Sequence, residues 1–262
     1  MIDAVERTTG KPVVLRPETG LQGRANAAYV ASDTSETRHL IVYDPAKSHL
    51  ANHIIPHELG HLGHFLKFRP AARLLPIIRT DERIRARAVV LGALPVRIRA
   101  TNTAETLRLA ADEWISGCVG QVTSFPADIS IEHDLWAQHP DLRSAQREAL
   151  AATAQDAHRV LQSEASCVTP SRVLNASNSM NYALLKAASR FLREPWMVRP
   201  YRGTPSERIG EELLEIYSTE HPSDLPGFQA VSSRWAQRLG LREWFIWAPV
   251  SSLLQAPNRI WD

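Results

Sequence analysis

His57-Glu58-Leu59-Gly60-His61 constrains this chain more than any other stretch of it. Apolar residues recur around it at Ile54, Ile55, Leu59, Leu62, Phe65 and Leu66, a spacing that predicts a helix with one core-facing side over roughly residues 52–68. Side chains four apart on a helix lie one above the other on the same face. His57 and His61 can therefore offer two imidazoles to one metal ion, with Glu58 at the edge of that face. Asn52 is a candidate N-cap, which places Pro56 in the first turn, where its missing N–H costs little. Gly60 is a poor helix former, and its presence predicts close approach of a neighbouring strand or of a substrate backbone.

Two His flanking a Glu in this way are the arrangement of zinc peptidases. A catalytic zinc takes three protein ligands and leaves a fourth position for water. His57 and His61 supply two, so the third must come from elsewhere. His64 lies about 10 Å along the helix from His57 at 1.5 Å per residue, too far for a shared ion. The longer three-His pattern has glycine where this chain has His64, and His where it has Lys67, so it does not apply. A carboxylate from a downstream helix is the remaining solution. Glu113 is the expected third ligand, with Asp112 and Glu105 as alternatives. Asp112 and Glu105 lie a heptad apart on one face, so one can ligate while the other orients a His.

The expected chemistry follows. Zn2+ lowers the pKa of a water and polarises the substrate carbonyl. Glu58 takes the proton as general base and delivers it to the leaving amine. Tyr201, Tyr182, His64 and His133 are candidates for the extra donor to the oxyanion. The leading expectation is a zinc-dependent endopeptidase acting on a protein or peptide. The alternative is a non-catalytic zinc-binding regulatory or interaction protein on a degenerate peptidase fold, which would need the two His but have no use for Glu58. Zinc hydrolysis of a non-peptide amide is a third possibility.

The rest of the chain predicts an α+β fold, mostly α. Val13-Val14-Leu15, Asn26–Ala31 and Leu40–Tyr43 read as short strands of a small antiparallel sheet, with a polar turn at 32–36, packed on the motif helix. An edge of such a sheet can align an extended peptide by strand addition. Further helices are expected over about 80–92, capped at Thr80, and over 103–119, opened by a capping box at Asn102-Thr103-Ala104-Glu105. Arg79, Arg83, Arg85 and Arg87 make the first of these basic, which reads as a solvated face rather than a nucleic-acid contact. Asp112 and Glu113 interrupt the apolar side of the second, and acidic groups there need partners, such as a metal or a ligating His. Helices at about 141–164, 171–193, 204–217 and 227–239 follow, then the aromatic residues Trp235, Trp244, Phe245 and Trp247, which read as core. The expected division is a metallopeptidase core at 1–126 and a helical accessory region at 127–262, either separate from the core or packed with it as one unit.

A formal net charge of +2 speaks against a nucleic-acid or membrane partner, and no apolar run is long enough to span a bilayer. Two cysteines make no disulfide framework, and the first residues have no signal-peptide pattern, so a cytoplasmic protein is the simplest expectation.

Leu40-Ile41-Val42-Tyr43 leading into His53-Ile54-Ile55-Pro56-His57-Glu58-Leu59-Gly60-His61-Leu62, with Glu113-Trp114 on a helix ending before Phe125-Pro126, resembles the gluzincin-like compact zincins, most nearly the ImmA/IrrE-type metallopeptidases. The resemblance covers about 90 residues. It implies His57 and His61 as zinc ligands, Glu58 as base and Glu113 as third ligand. It also implies limited proteolysis of a regulatory partner. The chain departs from that pattern in the 51 residues between His61 and Glu113 and in Asp112 beside the Glu.

Overall fold

The computed structural model describes residues 1–19, 25–26, 38–46, 51–68, 73–162 and 165–249. The fold is α+β and mostly helical. In chain order its elements are α1 (Ile2–Thr9), β1 (Val13–Pro17), β2 (Ala25–Asn26), β3 (His39–Tyr43), α2 (Ala51–Leu66), β4 (Leu74–Ile77), α3 (Thr80–Gly92), α4 (Val96–Thr101), α5 (Ala104–Gln138), α6 (Arg143–Gln162), α7 (Ala165–Val168), α8 (Ser171–Leu192), α9 (Pro205–Glu220), α10 (Leu225–Leu239) and β5 (Ile246–Pro249).

Two compact units divide the chain, each discontinuous in sequence. The first gathers Met1–Leu75, Ser130–Ala149 and Ala248–Asp262; the second gathers Pro76–Ile129 and Leu150–Trp247. The boundary expected at 126/127 falls inside α5, which runs on through Pro126.

The first unit carries the motif helix. β3 is the central strand of a three-stranded sheet in the order β1-β3-β2. It is antiparallel to β2 but parallel to β1, with Val13 opposite His39 and Pro17 opposite Tyr43, so the sheet is mixed rather than antiparallel. The strand expected at 26–31 is present only as Ala25–Asn26; residues 27–31 and the turn at 32–36 lie outside the described residues. Val5 of α1, Ile41 of β3, and Leu59 and Leu62 of α2 form one buried cluster, with Ile2, Val13, Ile55 and Leu66 packed on it. This is the core-facing side that the apolar spacing predicts. α2 already includes Ala51 and Asn52, so Asn52 is not its cap, and Pro56 stands inside the helix.

The second unit is built on α3, the first part of α5, α8, α9 and α10, whose apolar faces meet in one cluster that includes Ala111, Ile115, Val122, Met180, Leu213, Val231 and Trp235. Trp244 and Phe245 belong to that cluster, with Trp247 packed against it, so the aromatic segment is core. Trp235 is fully buried and its indole N–H donates to the Leu213 carbonyl at 2.8 Å. Caps delimit these helices: Thr204 accepts from Glu207 N at 3.2 Å while Glu207 Oε2 accepts from Gly203 N at 2.6 Å, and Gly240 ends α10 in the left-handed region. At the start of α5 the cap is Thr103, whose hydroxyl accepts from Thr106 N at 3.1 Å. No helix among the described residues is long and apolar enough to cross a membrane.

Candidate metal centre

The motif helix presents His53, His57 and His61 at four-residue intervals, one ladder on one face. The later part of α5, in the same unit, presents Glu132 to it. Glu132 is 3% exposed. His57 Nδ1 lies 2.8 Å from Glu132 Oε1, and His53 Nε2 lies 2.8 Å from Oε1 and 3.0 Å from Oε2. Gln146 of α6, fully buried, donates from Nε2 to Glu132 Oε2 at 2.6 Å and to the Glu132 carbonyl at 2.7 Å. Burial alone would push the Glu132 carboxyl up. The hydrogen bonds and charge of His53 and His57 outweigh it and hold the carboxyl at about 2.

An ionised carboxylate only accepts hydrogen bonds, so His57 must carry its proton on Nδ1. A neutral His57 then directs its Nε2 lone pair away from Glu132. The Nε2 of His61 lies 3.1 Å from the Nε2 of His57. Two nitrogens bound to one tetrahedral zinc at 2.0–2.1 Å stand about 3.3 Å apart. The donor set and spacing therefore fit a zinc ion between His57 and His61, with the other face of His57 anchored on a carboxylate as metal-binding imidazoles usually are. His53, His57 and Glu132 together form a grouping that could also hold a metal ion. Glu58 is half-buried on the adjacent face of α2.

Gly60 is explained by α5. A Cβ built on it would lie 2.7 Å from Ile131 Cγ2, so the close approach is that of a helix side chain. His64 is half-buried, and burial, followed by the nearby Lys67 and His61, shifts its pKa down.

Glu113 is not in this grouping. It is exposed on α5, about 28 Å along the helix axis from Glu132 at 1.5 Å per residue. Asp112 has its partner in Arg87, whose Nε and Nη2 each stand 2.5 Å from a carboxylate oxygen, with Arg83 and Arg108 both at 3.6 Å. The Arg87 hydrogen bond holds the Asp112 pKa below its ordinary value. Glu105 pairs with Arg108 at the exposed start of α5. The partners that Asp112 finds are thus arginines, Arg83 and Arg87 of α3 and Arg108 of α5, rather than a metal or a ligating His.

Of the candidate oxyanion donors, Tyr201 is fully buried, stacked edge-on against Tyr182 and His158. Tyr182 is spent on Glu211, to which its hydroxyl donates. His133 is exposed, 3.6 Å from Asp134. His64 alone shares the motif helix.

Sequence reasoning missed His53, Glu132 and Gln146. The signal for Glu132 was available: Ile129-Ser130-Ile131-Glu132 is an acid within an apolar run, and such an acid needs a partner. Pro126 hid it by marking a helix end that packing overrides. His53 stands one turn before His57, on the same ladder. No protein-family model, no curated protein and no solved structure matches the chain.

Proposed function

We propose that the chain is a zinc-dependent peptidase acting on a protein or peptide, with His57 and His61 as ligands and Glu58 as general base. The observation that carries this reading is the convergence of the two Nε2 atoms at 3.1 Å, with His57 fixed from behind by a buried carboxylate. Glu58 adds the feature that binding alone does not require. Zinc held there would polarise a carbonyl and acidify a water. Glu58 would accept the proton from that water and return it to the leaving nitrogen. The resemblance to ImmA/IrrE-type peptidases extends the proposal to limited proteolysis of a regulatory protein.

The test is hydrolysis of a fluorogenic peptide library and zinc content, side by side. Glu58→Gln is expected to retain zinc and lose about 10²–10⁴-fold in rate, the usual span for a general base. Glu113→Ala is expected to leave zinc occupancy unchanged, since Glu113 stands exposed on α5. Wild-type turnover by Glu58→Gln would remove the catalytic assignment and favour the non-catalytic zinc protein.

A further inference from the structure

The arrangement around Glu132 admits two ways of holding an ion. One places it between His57 and His61. The other uses His53, His57 and Glu132, whose candidate ligand atoms all lie within 4.8 Å of one another. His57 belongs to both, but a neutral imidazole has one lone pair to give. The choice therefore turns on what Glu132 does with its oxygens.

Those oxygens are engaged. Oε1 accepts from His57 at 2.8 Å and from His53 at 2.8 Å. Oε2 accepts from Gln146 at 2.6 Å and from the same His53 nitrogen at 3.0 Å. Three donors from two helices thus surround a carboxylate that water does not reach, and the Gln146 amide also holds the Glu132 backbone carbonyl. A carboxylate so saturated is an acceptor, and an ion placed on it would have to displace the donors. The His53 nitrogen that faces Glu132 carries the proton, so it has no lone pair to offer in that direction.

We infer that Glu132 is a positioning residue: seated by His53 and Gln146, it locks His57 in the tautomer whose Nε2 is open to the metal. This rests on the zinc reading given above. Three groups of the protein, His53, Glu132 and Gln146, then act on the ion only through His57. An anionic acceptor behind His57 also raises the basicity of the ligating nitrogen, and partners of this kind set metal affinity over 10–100-fold in other sites.

The experiment measures zinc affinity of the full chain by competition with a chromophoric chelator, and the visible spectrum of the Co2+-substituted protein. The variants are Glu132→Gln, Gln146→Leu, His53→Gln and His61→Ala, with far-UV circular dichroism as the folding control. Glu132→Gln keeps an acceptor and loses the charge. It is expected to bind zinc about 10–100-fold more weakly while keeping the wild-type Co2+ band positions, because the ligand set is unchanged. His53→Gln retains an N–H donor and is expected to stay closer to wild type than Glu132→Gln. His61→Ala is expected to lose the ion. Two outcomes overturn the inference: wild-type affinity in Glu132→Gln, or loss of the ion in both Glu132→Gln and His53→Gln with retention in His61→Ala, which would make Glu132 a ligand. Gln146→Leu carries the comparison if Glu132→Gln does not fold, with weaker binding expected and wild-type binding contradicting it. A wild-type protein that binds no zinc at all would instead defeat the underlying function.

Discussion

At the scale of single residues, Gly60 and Asp112 show how far local rules reach. Replacing a helical glycine by alanine ordinarily stabilises by about 0.5–1 kcal/mol. At Gly60 the new Cβ would meet Ile131 Cγ2 at 2.7 Å and Cγ1 at 3.1 Å, and Ile131 is a stiff β-branched side chain that is 2% exposed. Overpacking of this kind costs about 1–3 kcal/mol, so the clash wins. Gly60→Ala is expected to lower the thermal midpoint and weaken zinc binding, measured by calorimetry and chelator competition. Asp112 gives a pH dependence. Its folded pKa lies below its ordinary value because Arg87 hydrogen-bonds the ionised form. Its stabilisation is therefore complete above the unfolded pKa and fades as pH falls through the folded one. Asp112→Asn should cost about 1.5–3 kcal/mol at neutral pH, as for a hydrogen bond to a charged group, and the difference from wild type should shrink below about pH 4. Denaturant unfolding at pH 7 and pH 3 measures it; an unchanged gap at pH 3 would contradict the assignment.

Individual elements were legible where one force decided them. α2, α3, α8, α9 and α10 follow from apolar period, but caps stand where the sequence puts them only at Thr204 and Gly240: Asn52 lies inside α2, and Thr80 is the first residue of α3, preceded by Arg79 with no side-chain cap. β1 and β3 follow from β-branched runs, but their parallel pairing does not, because period-2 patterning is the same in either direction. α5 is the element that the sequence misdescribes. Phe125-Pro126 is a local stop signal, and tertiary packing of Val122, Ile129, Ile131 and Leu135 carries the helix past it. The consequence reached the site: ending α5 early made Glu113 the nearest carboxylate on a helix, when Glu132 lies on its continuation and meets His53 and His57. His57 and His61 needed no such long-range knowledge, since four-residue spacing on one helix fixes their relation.

At the scale of the whole molecule, the described centre is assembled from segments far apart in sequence. α2, the end of α5 and the start of α6 meet in one compact unit, while the helices of the second unit are built around Trp235, Met180 and Ile115. Three-helix convergence on Glu132 gives a buried ionised carboxylate three donors, and an unpaired carboxylate there would be strongly destabilising. The central claim is that this convergence serves an ion held by His57 and His61. The most direct measurement is the metal content of protein purified from zinc-supplemented medium, wild type against His61→Ala. One zinc per chain in wild type and none in His61→Ala is the predicted result. A correctly folded wild type without zinc, or a His61→Ala variant that keeps it, would contradict the claim.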